Sequence, residues 1–161
     1  MSCTCAYTAV TKYQKRVSGP LLDKLDIHIE VPQVDYDKLT SDLIGELSTA
    51  IRSRVESARQ IPRQRFVSIK SRKDSSPQVA CNADMRVAEV SQFCKLDETG
   101  ESLVIAAMSQ MSLSARGYHR VLKLARTVAD LAGSEQIQTP HVAEALQCRS
   151  REMVGYQRVT R

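Results

Sequence analysis

Leu113-Ser114-Ala115-Arg116-Gly117-Tyr118-His119-Arg120-Val121-Leu122-Lys123-Leu124-Ala125-Arg126-Thr127-Val128-Ala129-Asp130-Leu131-Ala132-Gly133 carries the most regular pattern in this 161-residue chain. Tyr118, Val121, Leu122, Ala125, Val128, Ala129 and Ala132 recur at steps of three and four, which lays them along one side of an α-helix. Ser114 stands where an N-cap belongs, and Gly133 where a helix turns out through a left-handed residue. The same segment puts Arg116 in the first helical turn, where the aligned peptide dipoles disfavour a cation by about 0.3–1 kcal/mol. Arg120, Lys123 and Thr127 follow it along one face at four-, three- and four-residue steps. A phosphate docked at the helix start would turn that penalty into attraction, because helix N-termini and guanidinium groups both favour anions. A solvated polar face opposite the apolar stripe accounts for the same spacing.

Outward from this helix the chain reads as helix and loop, with one exception. Downstream, Thr139-Pro140 offers an N-cap and a proline in the first turn, opening a last helix that uses Val142, Ala145 and Leu146. The tail after Arg151 reads as frayed. Upstream, a helix from about Thr99 points Leu103, Val104, Ala107, Met108 and Met111 inward, and Asp84 is placed to cap a short helix carrying Ala88 and Phe93. The basic, unpatterned stretch from Arg63 to Pro77 reads as an exposed loop. Before it, Ser41 can cap a helix with the stripe Leu43, Ile44, Leu47, Ile51, Val55 and Ala58, closed by Pro62. The exception is Ile27, Ile29 and Val31 alternating with His28 and Glu30, a half-buried strand pattern ended by Pro32. A short helix over Thr8–Val17 precedes it, broken by Ser18-Gly19-Pro20. A lone strand has no partner in this chain, so the segment is expected to be cut from a larger sheet and to sit away from its native place.

Composition narrows the functions open to such a chain. Apolar residues make up 42 % and charged residues 25 %, enough for a core, while aromatics are 4 % with no Trp, too few for a base-stacking platform. The net charge of +5 suits an anionic partner without demanding one. No run approaches the roughly eighteen apolar residues of a membrane span. Five cysteines, odd in number and irregularly spaced, read as reduced thiols of a cytoplasmic protein. No glycine precedes Lys-Ser or Lys-Thr, so no phosphate-binding loop exists, and the three histidines share no ligand spacing. Cys3-x-Cys5 lacks the second pair a zinc site needs, and no metal is assigned. Arg63, Arg65, Lys70, Arg72 and Lys73 are candidate nucleic-acid backbone contacts, or the ordinary charges of a soluble loop.

Ser18-Gly19-Pro20-Leu21-Leu22-Asp23-Lys24-Leu25-Asp26 resembles the Ser-Gly-Pro-Leu-Leu-Asp-Arg-hydrophobic-Asp motif of magnesium-chelatase-like AAA+ ATPases, the competence-related ComM and YifB group. Residues 113–133 look like that family's lid helix, and Thr139–Arg149 like the helix that closes it. The resemblance spans essentially the whole chain. It implies a mainly α fold, an AAA+ helical lid bundle at 35–161 preceded by a short helix and the last strand of a truncated ATPase core at 1–34. It implies that Arg116 is the sensor-2 arginine reaching the terminal phosphates of the nucleotide. It places Lys24 where the family has its arginine finger, offered to a neighbouring subunit, with Asp23 beside it. Lysine keeps the charge but not the planar fork that grips two phosphate oxygens, so Arg16 is a candidate substitute. Cys3 and Cys5 resemble the second of two cysteine pairs in the group.

The implied partners are the N-terminal remainder of the same ATPase and further copies in a homohexameric ring. ATP and Mg²⁺ would be bound by the intact protein and none stably by this piece, which alone should not hydrolyse ATP. The implied work is on DNA, such as branch migration in recombination. The alternatives are a magnesium-chelatase motor subunit for porphyrin metallation, and a non-enzymatic helical DNA-binding or adaptor module.

Overall fold

The computed structural model describes residues 5–14, 16, 24–29, 31, 45–67 and 79–149. Among them the chain is mainly helical, with α1 at Tyr7–Gln14, α2 at Ser48–Val67, a 3-10 turn at Asn82–Asp84, α3 at Val87–Phe93, α4 at Glu98–Gln110, α5 at Ala115–Leu131 and α6 at Thr139–Cys148. Leu43, Ile44, Asp23, Lys70, Arg72, Lys73 and the tail after Arg151 lie outside the described residues. No described helix is long and apolar enough to cross a membrane.

Helix α5 is the centre of the bundle, touching α2, the 3-10 turn, α3 and α6, while α6 also packs on α4. Its ends form as their residues dictate. Ser114 Oγ accepts the Gly117 amide at 3.1 Å. At the other end Gly133 takes φ 67, and its amide and that of Ser134 close back on the Asp130 and Ala129 carbonyls at 3.1 and 2.8 Å. Val121, Leu122, Ala125 and Ala129 are buried against Val104 of α4, Val142 and Ala145 of α6, and Phe66 of α2. The predicted stripe holds except at its last member, for Ala132 is exposed. Helix α4 starts at Asp97, whose Oδ1 accepts the Gly100 amide at 2.8 Å, and buries Val104 and Ala107. Helix α6 begins one residue earlier than the Thr139 cap expected, with Gln138 as N-cap and its amide donating to His141 Nδ1 at 3.0 Å.

Further expectations are corrected. Helix α2 does not stop at Pro62: it runs to Val67, with Pro62 and Phe66 buried, so Arg63 and Arg65 stand on a helix rather than in a loop. Proline removes one backbone hydrogen bond from a helix interior, a cost of about 3 kcal/mol or more. The turns that follow offset it by carrying Phe66 into the core, where its ring meets Phe93 edge-on at 5.7 Å. Conversely Leu47, Ile51 and Val55, expected inward, stay 69 %, 41 % and 39 % exposed, because only the last turns of α2 reach the bundle. Asp84 does not cap α3 but the turn before it, accepting the Ala80 and Cys81 amides at 3.1 Å each. Glu89 caps α3 instead through the Arg86 amide at 2.8 Å.

Residues 27–29 and 31 form no strand. A strand needs a neighbouring backbone, and the described chain supplies only one carbonyl: the His28 amide donates to Cys148 at the end of α6, 2.7 Å away. Ile27, Ile29 and Val31 are 51 %, 77 % and 82 % exposed, as a sheet strand without its sheet would be.

Candidate functional site

Arg116, His119, Arg120 and Lys123 line one side of an open cleft of about 380 Å³, and Met85, Arg86, Val87 and Val90 line the other. Met85 and Val90 are buried residues of the bundle, so the cleft is backed by the core while four cationic side chains surround it. Among the described residues no carboxylate lines it. Such a setting suits a polyanion: the fixed positive charges supply attraction, and the low-polarity backing limits screening. Arg116 is exposed and sits in the first turn of α5, which has no acidic residue there, so the helix N-terminus adds to the same field.

The face Arg120, Lys123 and Thr127 is not simply solvated. Lys123 Nζ donates to the Ala83 carbonyl at 2.8 Å, fixing the 3-10 turn to α5. Thr127 Oγ1 accepts from Asn82 Nδ2 at 3.2 Å. Arg120 Nη1 donates to the Lys24 carbonyl and, at 2.8 Å, to Asp26 Oδ1. Lys24 is exposed, and its backbone is held to the same helix that bears Arg116, although 92 residues separate the two in the chain. Arg63 is exposed on α2.

Arg65 turns inward. Its guanidinium grips Asp130 with two hydrogen bonds, 2.5 and 3.0 Å, and reaches Asn82 Oδ1 at 3.1 Å. Asp130, with its side chain 2 % exposed, also accepts from Arg126 Nε at 3.0 Å and Asn82 Nδ2 at 2.8 Å. Arg126 donates onward to the Ser134 and Glu135 carbonyls at 2.6 and 2.9 Å. Burial holds the Arg126 guanidinium below the ordinary arginine value, against the upward pull of Asp130. An acid in the last turn of a helix opposes the dipole. Here two guanidinium groups and an amide answer it, and the cluster stitches α2 and the 3-10 turn to α5.

Sequence reasoning did not single out Arg86, His119, Arg126, Asp130 or Arg149. For Arg126 and Asp130 a signal existed: their i,i+4 spacing sets a cation and an acid next to each other on the helix surface. Nothing local marks Arg86, which reaches the cleft from another element.

The magnesium chelatase subunit ChlI C-terminal family matches residues 45–149, the stretch holding α2 to α6. The chain belongs to the magnesium-chelatase-like family. The magnesium chelatase subunit ChlI family itself matches residues 1–39. Among curated proteins, this member of the magnesium-chelatase-like family is 38 % identical over 143 residues to the Competence protein ComM of Haemophilus influenzae, covering 88 % of this chain and 26 % of that protein. It is 31 % identical over 147 residues to the uncharacterized protein YifB of Escherichia coli, covering 91 % and 27 %. The chain thus spans about a quarter of the length of the curated relatives it matches.

Proposed function

We propose that this chain is the lid and nucleotide-sensing part of an ATP-driven AAA+ ring motor, cytoplasmic and homohexameric when intact, and acting on DNA. The observation that carries the reading is the exposed Arg116 at a cleft of four cationic side chains, backed by the core and with no carboxylate among its described lining residues. The residues suit the terminal phosphates of a nucleotide, which is the ligand class a lid arginine serves. ATP and Mg²⁺ supply the phosphoryl chemistry in the intact protein. Arg116 binds and orients the phosphates, and closing the lid over them excludes water. Lys24 presents its cation to the site of the next subunit, where charge builds on the transferred group. This sequence has no phosphate-binding loop, so it does not turn over ATP by itself.

The experiment is ATP turnover by the full-length protein with Arg116→Ala and Lys24→Ala, each alone and mixed with subunits whose phosphate loop is inactivated. Loss of turnover within the Arg116→Ala subunit, and rescue of Lys24→Ala by mixing, are the expected results; wild-type rates in both sink the reading. The DNA assignment leans on the name of the Haemophilus relative, a competence protein. Duplex or branched DNA should then stimulate the ATPase. The second reading, a motor subunit for porphyrin metallation, is favoured by the family descriptions themselves. It predicts ATPase activity indifferent to DNA and coupled to magnesium insertion. A non-enzymatic DNA-binding module would instead show salt-sensitive DNA binding by this chain alone, lost on replacing Arg63 and its basic neighbours.

A further inference from the structure

The segment that carries Lys24 is held against the ends of α5 and α6 by four contacts. Arg120 Nη1 donates both to the Lys24 carbonyl and to Asp26 Oδ1, the latter at 2.8 Å. Arg149 Nη1 lies 3.9 Å from the same carboxylate oxygen, although the Arg149 side chain is only 6 % exposed. The His28 amide donates to the Cys148 carbonyl at 2.7 Å. Room for the Arg149 guanidinium comes from Gly117, where an added Cβ would stand 3.4 Å from Arg149 Nη2. Arg120, Gly117 and Arg116 all lie in the first two turns of α5, and Arg120 lines the same cleft as Arg116.

One side chain thus belongs to both the wall of the anion cleft and the tether of the finger segment. We propose that Arg120 is a positioning residue: it ties Lys24 to the sensor helix through Asp26, so that lid closure in one subunit sets the finger for its neighbour. This rests on the lid reading above. Asp26 is the counter-charge of the tether, set between the guanidinium groups of Arg120 and Arg149. When α5 moves as a body, a segment fastened to it at Lys24 and Asp26 moves with it. A guanidinium suits the task because it serves several acceptors in a fixed geometry. The side chains of Arg120 and Asp26 are 26 % and 51 % exposed, and neither belongs to the buried apolar core.

The test has a structural arm and a catalytic arm. In the 161-residue chain, amide hydrogen exchange is read at residues 24–29 for Arg120→Ala, Asp26→Asn, and the conservative variants Arg120→Lys and Asp26→Glu. The first two should raise exchange in that segment about tenfold while α4 and α5 keep their protection, and the conservative pair should retain most of it. Unchanged exchange in Arg120→Ala and Asp26→Asn overturns the proposal. In the full-length ATPase, Arg120→Ala and Asp26→Asn should lower kcat about tenfold or more, with KM for ATP shifted less than about twofold. Wild-type kcat in both overturns the proposal. So does a raised KM at unchanged kcat, which makes Arg120 a phosphate contact and not a tether. Arg116→Ala and Lys24→Ala are measured alongside: wild-type turnover in those two overturns the lid reading and this proposal with it. A failure confined to the Arg120 and Asp26 series overturns the proposal alone.

Discussion

Asp130 is the residue on which the polar interior turns. Its carboxylate accepts from Arg65, Arg126 and Asn82 while almost fully shielded from water. Removing one partner of a buried ion pair strands the others, and Asp130→Ala should destabilise the fold by about 3–5 kcal/mol, read from the denaturant midpoint. A shift near zero would mean that water replaces the carboxylate at no cost. Asp84 and Cys94 give pH predictions of opposite sense. The Cys81 thiol and the Ala80 and Cys81 amides donate to Asp84 and hold its carboxyl below the ordinary 3.8. The unfolded chain therefore takes up that proton first as pH falls. The contribution is present above about 3.8 and lost as pH drops through the lower folded value. The stability gap between wild type and Asp84→Asn should close on acidification.

Cys94 is pushed up from 9.0 to about 11, chiefly by burial. The fold favours its neutral form, a contribution complete below pH 9 and lost as pH rises towards 11. At neutral pH, thiol alkylation of the folded chain should modify the exposed Cys81 and spare Cys94. Equal labelling of the two would contradict the buried placement. The Asp130 environment does not follow from neighbours in sequence alone, for Asp130 meets Arg65 across 65 positions.

At the scale of elements, most of what forms is dictated nearby. Ser114, Asp97 and Gly133 do what their residue types predict, because a cap satisfies amides or carbonyls within a few residues of itself. Gly133 at φ 67 is a position where a side chain is strained, and Gly133→Ala should cost about 1–2 kcal/mol of stability, read from a lowered thermal midpoint. Gly100→Ala acts differently. Its Cβ would stand 2.7 Å from Asp97 Oδ1, pushing away the N-cap of α4, a loss of about 0.5–2 kcal/mol. An unchanged Tm would show that Asp97 caps from another rotamer. Helix α2 is where local reasoning failed. Proline is a strong breaker, yet Pro62 lies inside the helix because the turns beyond it deliver Phe66 to the core and Arg65 to Asp130. Those gains come from partners outside the helix.

For the whole molecule, the bundle around α5 and the segments N-terminal to it differ in how they are held. Helix α5 packs against α2, the 3-10 turn, α3 and α6, whereas α1 has Tyr7 and Tyr13 at 68 % and 69 % exposure. Amides of α5 should exchange slowest and those of α1 far faster. Comparable protection would mean that α1 is packed in solution. Inorganic tripolyphosphate should raise the Tm of the chain, and Arg116→Ala should remove the effect, since a ligand at about a hundred times its Kd stabilises by about 2.7 kcal/mol. No shift with the unaltered chain would count against the cleft as a phosphate site.

The sequence by itself determined the helices from about Thr99 onward, the Ser114 cap and Gly133 end of α5 and most of its inward stripe, because helical period and end chemistry act over a few residues. It also determined that Arg116 opens α5. The tertiary structure decided the passage of α2 through Pro62, the inward turn of Arg65, the arrival of Arg86 at the cleft and the seating of Asp26 against Arg120 across 94 residues. Each depends on which charges burial brings together, and a carboxylate's partner is chosen by distance in space, which no local period encodes.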